Sequence, residues 1–308
     1  MEDLIITNPT LPPVAPPIIS LAEKRYARLT AFIQTPPESL DVDFVHDLRV
    51  LSRRVTEVAR LVTTLTDPVI AAGVAHALRE LRQAAGELRD LDVLREHLEK
   101  WRLPSPLRHV AAGILAALPQ RRAALEERLR SALSGVEIQG MLLLLGRIIS
   151  EQSVLAHAGT AETRMAEELQ KLLRKRRRQM EKVFGCAVRK QTDTALHEAR
   201  IGAKKLRYAL EVAEVAGQRG AGRAVKTLKR IQELLGKHHD VSVITATLQA
   251  HLNDLVPPTP VAKRRLAAAW RSWLRRTHSE QARRAGDFFI ASYHWRNSTL
   301  REVCVRGK

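Results

Sequence analysis

The sequence predicts an all-α protein made of two similar halves, and three observations carry that expectation. From about residue 20 onward the chain is almost entirely Ala, Leu, Arg, Glu and Val, with apolar residues returning every three or four positions and few stretches alternating with period two. Proline and glycine fall at intervals that leave room for helices between them. Two blocks rich in His, Arg and Lys each occur twice, in the same order and at the same separation.

In chain order, residues 1–19 are expected to form a flexible tail. They contain five prolines and lack the basic start and continuous apolar stretch of a secretory signal. Helix boundaries are expected at Thr35-Pro36-Pro37, Asp67-Pro68, Gly86, Pro104 to Pro106, Pro119, Gly135, Gly159, Gly217 to Gly222, Gly236 and Pro257 to Pro260. That gives about ten to twelve helices with short, bundle-like connections. The most apolar run, Met141 to Leu145 followed by Gly146, Arg147, Ile148 and Ile149, is far short of the roughly 20 residues of a membrane span. It reads as a buried helix, and no membrane partner is expected.

The repeat organises the rest. Val45-His46-Asp47-Leu48-Arg49 followed by Arg53-Arg54 is echoed by Leu196-His197-Glu198-Ala199-Arg200 followed by Lys204-Lys205. Some forty residues after each histidine comes a second matching block, Leu78-Arg79-Glu80-Leu81 leading to Gly86 through Asp90, and Leu228-Lys229-Arg230-Ile231 leading to Gly236 through Asp240. Two helical halves follow, at about 21–155 and 160–305 within one domain of 20–305, related by an expected pseudo-twofold axis.

On a helical wheel His46, Arg49, Arg53 and Arg60 share one face, opposite Leu48, Leu51, Val55, Val58 and Val62. His197, Arg200, Lys204 and Arg207 share a face in the second half, opposite Ala199, Leu206, Leu210 and Ala213. Each row is a ladder of positive charge rising about 5 Å per turn, along which a linear string of phosphates could run. Arg79, Arg82 and Arg89 add to the first ladder; Gln232 and His239 replace Arg82 and Arg89 in the second, which is weaker. A cationic helix face is ordinarily just solvated and balanced by carboxylates at i±4. Here the row is repeated with its histidine, and Glu57 and Glu211 are the few acids on these stripes.

Whole-chain charge points the same way. Lys and Arg number 51 against 33 acids, a formal charge of +18, and such self-repulsion is tolerable chiefly when a polyanion offsets it. Cys186 and Cys304 fit neither a disulfide framework nor a cysteine-based metal site, which suits a reducing cytoplasm.

The segments VHDLRVLSRRV, LRELRQAAGELRDLDVL, LHEARIGAKKLRYALE and LKRIQELLGKHHDVSVI resemble the CHAD domain family, the conserved histidine α-helical domain. The resemblance implies two four-helix-bundle-like halves around a central basic groove or pore, and binding of inorganic polyphosphate, with association to polyphosphate granules. It implies contacts from His46, Arg49, Arg53 and Arg54 in the first motif and from His197, Arg200, Lys204, Lys205 and Arg207 in its repeat. Arg79, Arg82, Arg89, Lys229 and Arg230 are added from the second blocks. Thr56 stands where the family often has another basic residue, and His238-His239 replaces a Leu-Arg-like pair. Many relatives carry a triphosphate-hydrolysing CYTH module with an ExExK motif; that motif does not occur here.

Guanidinium groups suit phosphate because they offer paired donors and stay charged. His46 and His197 are expected either to strengthen binding below about pH 7 or to position helices through Asp90 or Asp240. No metal-ligand spacing is present around His238, His239 and Asp240, so no metal, cofactor or catalytic residue is expected. The cluster Lys171, Arg174 to Arg178 covers all sides of a helix and reads as another anionic contact or as a solvated segment. Two rival functions remain. The same cations would neutralise DNA or RNA, although 4% aromatic content disfavours base stacking and leaves only weak, sequence-independent binding. The other rival is an enzyme of polyphosphate or triphosphate turnover.

Overall fold

The computed structural model describes residues 14–157, 162–255 and 259–295, and among these it contains nine α-helices, one short 3-10 turn and no strand. The first half comprises α1 (Ala15–Gln34), α2 (Val42–Val62), α3 (Pro68–Lys100), α4 (Ser105–Ser134) and α5 (Val136–His157). The second comprises α6 (Glu162–Lys190), α7 (Asp193–Val215), α8 (Ala221–Asp254) and α9 (Pro260–His294). By order and packing α1 to α4 correspond to α6 to α9, and α5 has no counterpart among the described residues.

Local chemistry starts the two motif helices alike. The Asp41 carboxylate accepts from Phe44 N at the start of α2, and the Thr192 hydroxyl accepts from Ala195 N at the start of α7, satisfying amides that have no partner in the first turn. The apolar faces then do what their spacing requires: Leu48, Leu51, Val55, Val58 and Val62 on α2 and Ala199, Leu206, Leu210 and Ala213 on α7 are all buried. α6 and α7 approach so closely at Gly202 that a Cβ there would sit 2.7 Å from Val183 Cγ2.

The halves share one core. Leu48, Val55, Leu81 and Leu145 belong to the same apolar cluster as Met180, Phe184, Leu206 and Leu228. At about 1.5 Å per residue α3 and α8 run near 50 Å, well past α2 and α7. Their distal ends pack with α4 and α9 around a second core of Leu91, Leu98, Leu107, Ile114, Ile244, Leu248 and Trp273. α5 buries Met141, Leu142, Leu145, Ile148 and Ile149, but Leu143 and Leu144 of the same run are exposed, so the run is one buried face of a helix and not a helix buried all round. Among the described residues no single helix is long and apolar enough to cross a membrane.

Four expectations need correction. Helix α1 begins at Ala15, with Ile18 and Ile19 buried, so residues 15–19 are domain and not tail; residues 1–13 lie outside the described residues. The Ala15 amide donates to Glu162 Oε2 at 2.9 Å, so a carboxylate of α6 caps α1. Pro119 lies inside α4, which continues because Leu118 is held in the second core and Leu129 in the first. Gly86 and Gly236 lie inside α3 and α8, which continue because Leu81 and Leu88 on one and Ile231 and Leu235 on the other are held in the core. With three expected breaks absent and one unexpected break present, at Gln191–Thr192 between α6 and α7, the described residues form nine helices where ten to twelve were expected. The breaks expected at Gly159 and Pro257 fall among residues outside the described ones, as does Cys304.

Candidate anion-binding site

Helices α2 and α7 pack against one another so that residues equivalent in the repeat meet. Arg53 lies within electrostatic reach of Arg49 on its own helix and of Arg200 and Tyr208 on α7. Lys204 feels Arg200 and Arg207 from α7 and Arg49 and Arg53 from α2. Two ladders, one from each half, thus converge into a single cationic cluster, and α3 adds Arg82, which feels Arg53, Arg60 and Arg79.

Crowding and burial leave their mark on the acid–base properties. Burial, with the four surrounding guanidinium groups behind it, lowers the Lys204 ammonium from 10.5 to about 6. Burial lowers Arg53, Arg82 and Arg200 as well, again with neighbouring arginines acting in the same sense. The His197 and His239 rings face each other with Nδ1 atoms 3.2 Å apart. Burial is the main cause that lowers both, His239 to about 4.

Glycine explains how two of the arginines fit. A Cβ on Gly86 would meet the Arg49 guanidinium at 3.7–3.8 Å, and one on Gly236 would meet that of Arg200 at 3.8–3.9 Å. Each guanidinium therefore lies flat over a helix that has no side chain at that point. A Cβ at that distance would be an ordinary contact, so the approach calls for a small residue at these points of α3 and α8 and not for glycine alone.

Carboxylates near the cluster are already engaged. Asp90 Oδ1 accepts from Arg49 Nη1 at 2.7 Å. Asp240 pairs with His97 at 3.6 Å, and burial holds it above the usual carboxylate range. Glu211 accepts from Arg54 Nε at 3.1 Å and from Arg207 Nη1 at 3.0 Å, with Arg25 at 3.8 Å. Glu57 turns away from the cationic row into a buried pair with Arg176 of α6, at 2.7 Å.

Cations and their donors outnumber these acceptors. Arg49 Nε, Arg200 Nε, Arg207 Nε, Arg89 Nη1 and Gln232 Nε2 are buried N–H donors with no acceptor in the protein. A buried donor left unmatched costs about 1–3 kcal/mol, and the three on Arg49, Arg200 and Arg207 belong to the cluster itself, where oxygen acceptors would satisfy them. Among the described residues no group of three or more His, Cys, Asp or Glu is arranged to hold a metal ion. An open cleft of about 610 Å³ lies between α3, α4 and α8, lined by Leu91, Leu94, Ile114 and Leu118, and it touches the cluster only at Asp90.

The family model of the CHAD domain matches residues 22–249. The chain belongs to the CHAD domain family. A crystal structure of the CHAD domain from the plant Ricinus communis is similar over 92% of each chain, at 21% identity and a TM-score of 0.61. At that identity the likeness speaks for the fold. No curated protein matches the chain.

Within this CHAD domain the residues predicted from sequence separate into two sets. Arg49, Arg53, Arg82, Arg89, His197, Arg200, Lys204 and Arg207 are part-buried at or beside the cluster. Arg54 is drawn aside to Glu211, while His46, Arg79, Lys205, Lys229 and Arg230 are exposed. The histidines do not bind Asp90 or Asp240: His197 faces His239, and His46 makes no hydrogen bond or ion pair among the described residues. Sequence reasoning missed Tyr208, which is buried with its ring 4.5 Å from the Arg207 guanidinium. Its position one turn after Lys204 was the available signal. It also missed Arg25 on α1, whose guanidinium burial lowers to about 10; nothing in the repeat marks it.

Proposed function

We propose that this CHAD domain binds inorganic polyphosphate, without turning it over, in a basic groove between α2 and α7 flanked by α3 and α8. The observation that carries the proposal is the meeting of Arg49 and Arg53 with Arg200, Lys204 and Arg207, together with buried guanidinium donors that no protein group accepts. A chain of phosphates supplies both what the cluster needs electrostatically and what its donors need geometrically, because every phosphate carries outward oxygens at full charge. Binding without hydrolysis is favoured because Asp90 and Glu211 are committed to arginines and Asp240 to His97. The site of action is the cytoplasm, where such a domain would associate with polyphosphate granules.

The test is competition between labelled polyphosphate and duplex DNA at matched phosphate concentration over a range of salt. Polyphosphate should win by at least tenfold, with affinity falling steeply as salt rises because counterions are released. Losing two charge-assisted donors at about 1.5–3 kcal/mol each should weaken binding about 100-fold or more in the Arg49→Gln/Arg200→Gln double variant, with helicity unchanged. Equal competition by DNA, or undiminished affinity of the double variant, overturns the groove. Phosphate released from polyphosphate with Mg²⁺ present would overturn the non-catalytic part alone.

A further inference from the structure

Helix α6 turns one face inward through Met165, Leu169, Leu173, Met180 and Phe184. Its rotation is fixed by Arg176, which points inward to Glu57 and is only 7% exposed. The opposite face therefore presents Arg164, Arg174, Lys175, Arg178, Lys182 and Arg189, all exposed and, among the described residues, none of them in an ion pair. These positions lie within one arc of the helix and span about 38 Å along it. This is not how a solvated helix places its charges. Lys171 and Lys175, Arg174 and Arg178, and Arg178 and Lys182 stand four residues apart, where like charges destabilise a helix by a few tenths of a kcal/mol each. Of the acids near the row, Glu168 is held by Lys171 and Glu181 by Arg177; Glu167 stands exposed on the same arc, beside Lys171, towards its N-terminal end. Because α6 packs on α2 and α7 with its other side, the row faces away from the cationic cluster between those helices.

We propose that the outward face of α6 is a second site for a linear phosphate polymer, so that one domain holds two polymer segments and bridges chains. This rests on the polyphosphate reading for the identity of the polymer. A row whose central charges, Arg174, Arg178 and Lys182, stand about 6 Å apart, with Arg164 and Arg189 about 10–15 Å beyond them, suits a thin, flexible chain that can follow its length. A rigid duplex would meet it at only a few phosphates, and the row offers no aromatic side chain for an unpaired base to stack on.

The experiment compares two variants of equal net charge. One carries Arg174→Gln, Lys175→Gln, Arg178→Gln and Lys182→Gln; the other removes four scattered exposed cations by Lys24→Gln, Arg102→Gln, Arg121→Gln and Lys226→Gln. Light scattering is read on mixing with long-chain polyphosphate, and affinity is read with chains too short to bridge. Wild type and the scattered variant should scatter; the α6 variant should lose the signal while keeping short-chain affinity within about twofold, because its groove is untouched. Equal scattering by the two variants overturns the second site. Long duplex DNA giving the same α6-dependent scattering at matched phosphate overturns its assignment to polyphosphate. The groove fails separately, if Arg49→Gln/Arg200→Gln leaves short-chain affinity intact.

Discussion

Replacing Lys204 by methionine isolates the cost of gathering cations. The unfolded chain keeps this lysine protonated up to its ordinary value of 10.5, whereas the folded protein holds the proton only up to about 6. Between those values unfolding takes up a proton, so stability rises with pH across the window and is lowest below pH 6. The interval from pH 7 to 10.5 corresponds to about 5 kcal/mol at about 1.4 kcal/mol per unit; screening by solvent at a part-exposed ammonium reduces this to about 2 kcal/mol. Methionine has similar length and no charge to desolvate. Lys204→Met should therefore raise the melting temperature at pH 7 by about 3 °C, and the gain should shrink as pH approaches 10. Differential scanning calorimetry from pH 6 to 9.5 provides the reading. A variant that melts at or below wild type at pH 7, or whose advantage does not change with pH, would refute the account of the cluster. In polyphosphate binding the sign reverses. The ligand favours the charged lysine, so wild-type affinity should fall by up to about tenfold per pH unit above 6, and the methionine variant should lose most of that dependence.

Gly86→Ala should be neutral or stabilising by up to about 1 kcal/mol, since its Cβ makes ordinary contact with Arg49. Gly86→Leu should displace that guanidinium and weaken polyphosphate binding about tenfold or more, measured by fluorescence anisotropy. Asp90→Asn removes the acceptor 2.7 Å from Arg49, frees that arginine for phosphate, and should tighten binding several-fold in the same assay. Glu57→Gln leaves the buried Arg176 charge unmatched and should cost about 3–5 kcal/mol of stability by urea unfolding, with helicity in the native baseline retained.

The helical class and the inward faces of α2 and α7 were legible because apolar spacing is fixed by helix geometry, and the same residues are buried in the fold. The converging rows were legible because they are repeated. Helix ends were less so. A glycine breaks a helix by local preference, yet Gly86 and Gly236 stay helical because the residues around them, Leu81 and Leu88 on α3 and Ile231 and Leu235 on α8, are held in the core, a tertiary reason invisible to a window of sequence. Arg54 and Arg53 are neighbours in the motif but point differently, one to Glu211 and one into the cluster. That distinction depends on which helix stands opposite, as does the inward turn of Arg176 within a run that looked uniformly basic.

The two halves do not contribute alike, and the difference follows from three pairs of equivalent positions. Arg82 has Gln232 as its counterpart and Arg89 has His239, so α3 lends the cluster guanidinium groups where α8 lends an amide and an imidazole. In compensation α7 brings Arg207 where α2 has Thr56, whose hydroxyl accepts from Arg82 at 2.9 Å. Of the two charges missing from α8, one is thus returned on α7, one helix over. A symmetric set with arginine at every such position would add guanidinium groups to a cluster that already holds Lys204 near 6. Each added charge would lower stability without ligand by self-repulsion. Gln232 still presents a buried N–H that no protein group accepts, so it keeps a donor for phosphate while omitting the charge, and His239 can supply its charge only when an anion is near enough to favour the proton.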